Sequence, residues 1–295
     1  MTRVLSFEEL SQLAPPWSAE EAFSDAFRCL QGALPELAGF CGAVRFGSAA
    51  TNRCNILSDL DMLVVTSKLP EPGQCNLGTL AGIIRNTYGI QVSFETVLAT
   101  DAEMGCHSIG LSLMKHLRWC AEHPDNIIGK NPLSSLQWGP TVPVHYYVDK
   151  KHQELVERLR YLDFQERRLT HGIFLFDSYS DEQRLRFLGK ILDAPGHITR
   201  RLFDRHEHHR EYSTQEMLKI LQDGCHLIEE QVPVCALLEE LLKGKTNFLS
   251  VVQEQLRHPS QSAYGAALRD IFTLAHRTLA FNQAVKSLFV SQSLL

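Results

Sequence analysis

The sequence contains neither a hydrophobic run long enough to cross a bilayer nor a block of charge of one sign. No segment reaches roughly 18 consecutive apolar residues, and the start, MTRVLSFEELSQL, has acidic residues where a secretory signal has its apolar core. The net charge of -5 is mild, and neither half carries a basic arm of the kind that binds nucleic-acid backbones. These absences predict a cytoplasmic protein with no membrane partner.

Clustered cysteines are also absent. The eight cysteines are scattered, with no C-x-x-C pair and no Cys/His quartet of zinc-finger spacing. Such thiols are typical of a reducing compartment, where they pack as small apolar groups. What the chain does have is 295 residues, 44% of them hydrophobic, which is enough to bury a core in one large domain or two ordinary ones.

Hydrophobic periodicity divides the chain into a mixed N-terminal region and a helical C-terminal region. Strands are predicted over 39–46, 59–65 and 90–98, with helices from about 22 to 34, around 77–84 and near 108–122. After a border rich in Pro, Gly and Asn, helices are predicted over 150–168, 181–192, 197–208, 214–230, 233–243, 247–257 and 262–290. We therefore expect an α/β (α+β) domain over 1–140 followed by an all-helical domain over 141–295.

Two acidic residues, Asp59 and Asp61, stand at the head of the apolar run DLDMLVV. Residues i and i+2 of a strand point to the same face, so their carboxylates are predicted to lie close together. Burying such charges costs several kcal/mol each unless they are paired or bound to metal. Carboxylate oxygens suit Mg2+, which also keeps positions open for substrate phosphates. The pair therefore predicts a metal site for a nucleotide.

Three neighbouring features fit the same chemistry. Glu95, in the strand IQVSFETVL, would complete a cluster of three carboxylates if the two strands are adjacent. The pair Gly47-Ser48 ends the first strand, and glycine lets the backbone approach an oxyanion while its N–H and the serine hydroxyl donate hydrogen bonds to phosphate. Arg53, in the following loop, is placed to reach a triphosphate.

Together these residues resemble the signature of the polymerase beta type nucleotidyltransferase superfamily, over about the first 130 residues. The resemblance implies a small mixed sheet in which Gly47 and Ser48 hold the nucleotide phosphates. It also implies two Mg2+ ions, with Mn2+ as an alternative, bound by Asp59, Asp61 and Glu95, and a general-base role for Glu95. This chain departs from the family pattern in two ways: Ala-Ala-Thr-Asn-Arg follows the Gly-Ser pair where many bacterial members have Ala-Arg-Gly, and the third acid is Glu where Asp is commoner.

The resemblance extends to the turn at Gly129-Lys130, because several family members with helical tails carry an I-x-G element beside the nucleotide cleft. Lys130 is accordingly a candidate phosphate ligand, and a plain surface lysine is the equal alternative. Family membership implies attack of an acceptor hydroxyl on the α-phosphate of a nucleoside triphosphate such as ATP, with release of pyrophosphate. The helical domain is then expected to form the far wall of the acceptor pocket.

The sequence leaves the acceptor open among a small molecule such as an aminoglycoside, an RNA and a protein hydroxyl. It also leaves open which base is preferred, and whether the chain pairs with a second copy or with an antitoxin. The alternative of another class is a non-catalytic module of a toxin-antitoxin or defence system. Such a module would sense a nucleotide or bind a partner without turnover.

Overall fold

The computed structural model describes residues 19–54, 58–69, 76–142, 149–150, 152–157, 191–197, 216, 219, 232–257, 273–274, 276–281 and 283–284. The chain divides into two compact units. The described residues from 19 to 142 belong to the first unit and those from 149 onward to the second. The protein is mixed α+β, with its four-stranded sheet in the first unit. The division predicted at residue 140 stays a prediction.

The sheet consists of strands β1 (Phe40–Phe46), β2 (Leu60–Thr66), β3 (Val92–Leu98) and β4 (Ile127–Gly129). Their order is β3-β2-β1-β4, with β1 antiparallel to β2 and to β4, and β2 parallel to β3. The expectation of a small mixed sheet is thereby confirmed, and β1 to β3 lie within two residues of the predicted strands. Strand β4 was not predicted, because three residues are too few to show a periodicity.

Six helices of the first unit surround this sheet: α1 (Ala19–Ala33), α2 (Gly47–Ala50), α3 (Leu77–Tyr88), α4 (Ala99–Met104), α5 (Leu111–Ala121) and α6 (Pro132–Ser135). Local signals account for their ends. The Asn76 side chain accepts the Thr79 N–H at 2.9 Å and caps α3 at its start. Gly89, with a φ of +70°, ends the same helix in the left-handed conformation that favours glycine.

Alternate residues of the central strands face two different hydrophobic cores. Met62 and Val64 pack in a core with residues of α1 and α3, whereas Leu63 and Val65 pack in a core with residues of α4 and α5. This is the two-residue period of a strand that is covered on both faces. Since Asp61 alternates with Met62, its side chain lies on the face of α4 and α5.

In the second unit, residues 152–157 and 191–197 are helical, and α7 (Val232–Arg257) is a continuous helix. Two predictions were wrong here: the break at 244–246, between helices over 233–243 and 247–257, and the gap at 193–196. Gly244 suggested a helix end, but a Cβ on it would lie 2.5 Å from a methyl group of Leu274. Glycine is present inside α7 because another segment packs closely against it.

Most residues of the helices predicted over 150–168, 181–192, 197–208, 214–230 and 262–290 lie outside the described part of the chain. Within the described part, no helix has both the length and the apolar character required to span a bilayer. No disulfide joins those cysteines whose side chains are described, and of these only Cys106 is exposed. The prediction of packed thiols is confirmed for the other four.

Candidate functional site

The turn formed by Gly47 and Ser48 follows directly from the end of β1. Gly47 has a φ of +74°, a conformation that residues with a Cβ rarely adopt. A Cβ at this position would also overlap the carboxylate of Asp61. Glycine is thus required for two separate reasons, and the backbone of the turn lies directly against the Asp61 side chain.

The loop after the turn folds back onto the Ser48 carbonyl. This oxygen accepts the Arg53 N–H at 2.8 Å, the Thr51 N–H at 3.3 Å and the Thr51 hydroxyl at 3.2 Å. Asn52 makes the reversal with a φ of 53°, which asparagine tolerates better than most residues. The backbone of Arg53 therefore lies beside Ser48, and its side chain is exposed.

The strand register places Glu95 on the same face of the sheet as Asp61. In the parallel pair of β2 and β3, Asp61 is opposite Ser93, and Leu63 is opposite Glu95. Because paired residues point to the same face, Glu95 and Asp61 share that face with an offset of two residues. Asp59 lies one residue ahead of β2, and all three acids are half-buried.

The three acids are spread along the strands. An offset of two residues corresponds to roughly 7 Å, and Asp59 lies about two residues further from Glu95 than Asp61 does. Among the described residues, no three His, Cys, Asp or Glu side chains approach closely enough to hold one ion. The donor chemistry of the aspartates suits Mg2+. The absence of a Cβ at Gly47 lets the Asp61 carboxylate lie directly against the turn. A metal centre built from all three acids stays a prediction.

Glu95 has a specific partner that the sequence did not reveal. The Ser108 hydroxyl, in the segment between α4 and α5, donates to Oε1 of Glu95 at 3.1 Å. A hydrogen bond to a carboxylate restricts its orientation. Ser108 thereby orients Glu95 on the face that it shares with Asp61.

A second residue missed by sequence reasoning lies behind the turn. The Gly47 N–H donates to Nε2 of His116 on α5 at 2.9 Å, and His116 is only 6% exposed. A signal for it does exist in the sequence: Ser112, His116 and Cys120 recur every four residues on one side of α5, and all three are buried. A buried polar side chain usually has a hydrogen-bond partner. His116 and Cys120 have one, whereas the buried Ser112 hydroxyl has none within the described part of the chain.

Lys130 lies in a different part of the sheet. It follows β4 and packs its backbone against Gly42, where a Cβ would overlap the Lys130 carbonyl. Gly42 precedes the end of β1 by four residues, or roughly 13 Å along the strand. The structure therefore does not bring Lys130 to the Gly47-Ser48 turn, and the exposed Lys130 side chain fits the alternative of a plain surface lysine.

No family model, no curated protein and no solved structure matches this chain. The function is therefore inferred from the chemistry of the site itself.

Proposed function

We propose that the chain is a metal-dependent nucleotidyltransferase that transfers a nucleoside monophosphate from a nucleoside triphosphate to an acceptor hydroxyl. The observation that carries the proposal is the contact between the Gly47 backbone and the Asp61 carboxylate, on the face of the sheet that also holds Glu95. A phosphate-binding turn and half-buried carboxylates are thereby adjacent. This is the combination that a magnesium-nucleotide complex needs.

Each residue has a stated role in the proposed reaction. The Ser48 amide and hydroxyl donate hydrogen bonds to the triphosphate, and the exposed Arg53 side chain neutralises part of its charge. Asp59 and Asp61 would hold Mg2+, with Glu95 as a further ligand. When bound, Mg2+ stabilises the negative charge that develops on the phosphates and lowers the pKa of the acceptor hydroxyl.

Glu95 accepts the proton of the acceptor hydroxyl in this scheme, and Ser108 keeps its carboxylate oriented. The hydroxyl oxygen forms a bond to the α-phosphorus while the bond to the β-phosphate oxygen breaks, and pyrophosphate leaves. Lys130 is not part of this proposal, because its position just after β4 is remote from the turn.

The proposal includes an all-helical second domain. Support comes from α7 and from the shorter helical segments of the second unit. The acceptor classes remain a small cationic molecule such as an aminoglycoside, an RNA and a protein hydroxyl.

The direct test is incubation of the protein with each α-labelled nucleoside triphosphate and Mg2+ or Mn2+. We expect pyrophosphate release and transfer of label to one of three offered acceptors: total RNA, total protein or an aminoglycoside. Nucleotide binding with no turnover on any acceptor would favour the alternative of a non-catalytic sensing module. Failure to bind any nucleotide would contradict both the transferase and the nucleotide-sensing module, and would favour the partner-binding form of the alternative.

The decisive variant is Asp61→Asn, which keeps the size of the side chain but removes its charge. Transfer should fall by at least about a hundredfold, the usual effect of removing one group that stabilises charge in the transition state. The melting temperature should stay close to that of the wild type. Asp25→Asn is the matched control, since Asp25 forms an exposed i,i+3 ion pair with Arg28 on α1, and such pairs contribute little. Full activity of Asp61→Asn would remove Asp61 from the mechanism.

A further inference from the structure

The hydrogen bond between Gly47 and the buried His116 shows which ring nitrogen acts as the acceptor. A backbone N–H can only donate to a ring nitrogen that carries a lone pair, so the bond from Gly47 requires Nε2 of His116 to be unprotonated. The ring proton then lies on Nδ1. The Cys120 sulfur, one helical turn further along α5, is 3.6 Å from Nε2 and 3.8 Å from Nδ1.

Aromatic rings hold the imidazole in place. Trp119 stacks on it, with 6.3 Å between ring centroids and planes 13° apart. Phe46, the residue before Gly47, meets it edge-on at 6.2 Å. Because both rings restrict the imidazole, its Nε2 is a fixed acceptor and little entropy is lost when it binds the Gly47 amide.

The Gly47 backbone is therefore held from two directions. The Asp61 carboxylate lies against its Cα, and Nε2 of His116 accepts the hydrogen bond from its N–H. An amide that already donates at 2.9 Å is not available to a phosphate oxygen. The phosphate contacts of the turn then fall on the Ser48 amide and hydroxyl, whose positions depend on where Gly47 is fixed.

We propose that His116 is a positioning residue for nucleotide binding: its Nε2 anchors the Gly47 amide and so sets the conformation in which Ser48 meets the triphosphate. This inference rests on the proposed nucleotidyltransferase function. It adds a requirement for a hydrogen-bond acceptor on α5, at a residue that need not touch the nucleotide.

The test compares two substitutions that differ in whether they keep an acceptor. His116→Gln places an amide oxygen near the position of Nε2, whereas His116→Leu fills similar space with no acceptor. The Kd for ATP with Mg2+, and for the other three triphosphates, should rise about tenfold in His116→Leu, the effect of losing one well-formed hydrogen bond. In His116→Gln it should stay within about twofold of wild type. His276→Leu, at an exposed histidine of the second unit, is the control and should leave the Kd unchanged.

A second measurement does not depend on nucleotide. Amide hydrogen exchange and the imidazole 15N shifts of the wild type should show a protected Gly47 N–H and an unprotonated Nε2. Equal Kd values for the Gln and Leu variants would overturn the proposal. Rapid exchange of the Gly47 amide in the wild type would also overturn it, and this measurement applies even if His116→Leu fails to fold. A protected Gly47 amide in a protein that binds no triphosphate would reject the proposed function, and would reduce His116 to a structural anchor.

Discussion

Replacing Gly47 with alanine should destabilise the protein for two separable reasons. The backbone has a φ of +74°, and forcing a residue with a Cβ into the left-handed region costs about 1–2 kcal/mol. The new Cβ would also overlap the Asp61 carboxylate, with Cγ of Asp61 only 3.1 Å away. Overpacking of this kind costs a further 1–3 kcal/mol, roughly. The expected loss in free energy of unfolding is therefore about 2–5 kcal/mol.

Gly89→Ala isolates the first of these costs. Gly89 has nearly the same φ, +70°, but no atom lies within 4 Å of the position that a Cβ would occupy. Its replacement should cost only the conformational term of about 1–2 kcal/mol. The difference in free energy of unfolding between the two alanine variants measures the steric cost of the overlap with Asp61.

A third experiment places Gly47→Ala in a protein that lacks the Asp61 carboxylate. Asp61→Ala deletes the carboxylate and leaves only its Cβ, at 3.3 Å from the new methyl group. In that background Gly47→Ala should cost about as much as Gly89→Ala does in the wild type, so the two substitutions are non-additive.

The assay is urea unfolding followed by tryptophan fluorescence and circular dichroism, with the free energies extrapolated to water. The reasoning is refuted if Gly47→Ala costs no more than Gly89→Ala. It is also refuted if the excess cost persists undiminished when Asp61 is alanine. Either result would mean that the turn and the carboxylate are not in contact in solution.

Gly82→Ala in α3 should raise the free energy of unfolding by about 0.5–1 kcal/mol, because alanine favours the helix and its Cβ meets no atom within 4 Å. Gly244→Ala in α7 should lower the free energy of unfolding, because Leu274 occupies the space that the new Cβ needs, and Leu274→Ala should remove that penalty. Urea unfolding measures the effects at both glycines. If Gly82→Ala and Gly244→Ala change the free energy of unfolding in the same direction, the packing around Gly244 is contradicted. Arg45→Met should lower the free energy of unfolding by about 1–3 kcal/mol. The half-buried Arg45 donates to Oδ1 of the buried Asn126 at 2.9 Å, and the substitution leaves that oxygen without this donor. A double-mutant cycle with Asn126→Ala checks this coupling, and fully additive losses would show that the hydrogen bond contributes nothing.

Strands β1 to β3 and the longer helices α1, α3 and α5 were predictable because their signals are local. Helices α2, α4 and α6, of four to six residues, and strand β4 were not predicted, because such short segments show no periodicity. The apolar run in DLDMLVV marks β2, and the turn at Gly89 marks the end of α3, since each pattern depends on neighbours within a few residues. The same locality explains the failure at Gly244. Its role is defined by Leu274, thirty residues away in the sequence, and no local pattern reports such a contact.

In the candidate site too, some features were predictable from local sequence and others depended on the tertiary structure. Sequence alone placed Asp61 at the head of a strand and Gly47 at the end of another, and it selected Glu95 as the third acid. The pairing of β2 with β3 decided that Ser93 is opposite Asp61 and that Glu95 lies two residues further along. Only the packing of α5 under the sheet brought His116 to the Gly47 amide. Alternation within a strand is a local property, so the sequence predicts which face of the sheet a side chain is on. The distance between two segments depends on strand register and helix packing, and these are determined by the contacts of the whole hydrophobic core.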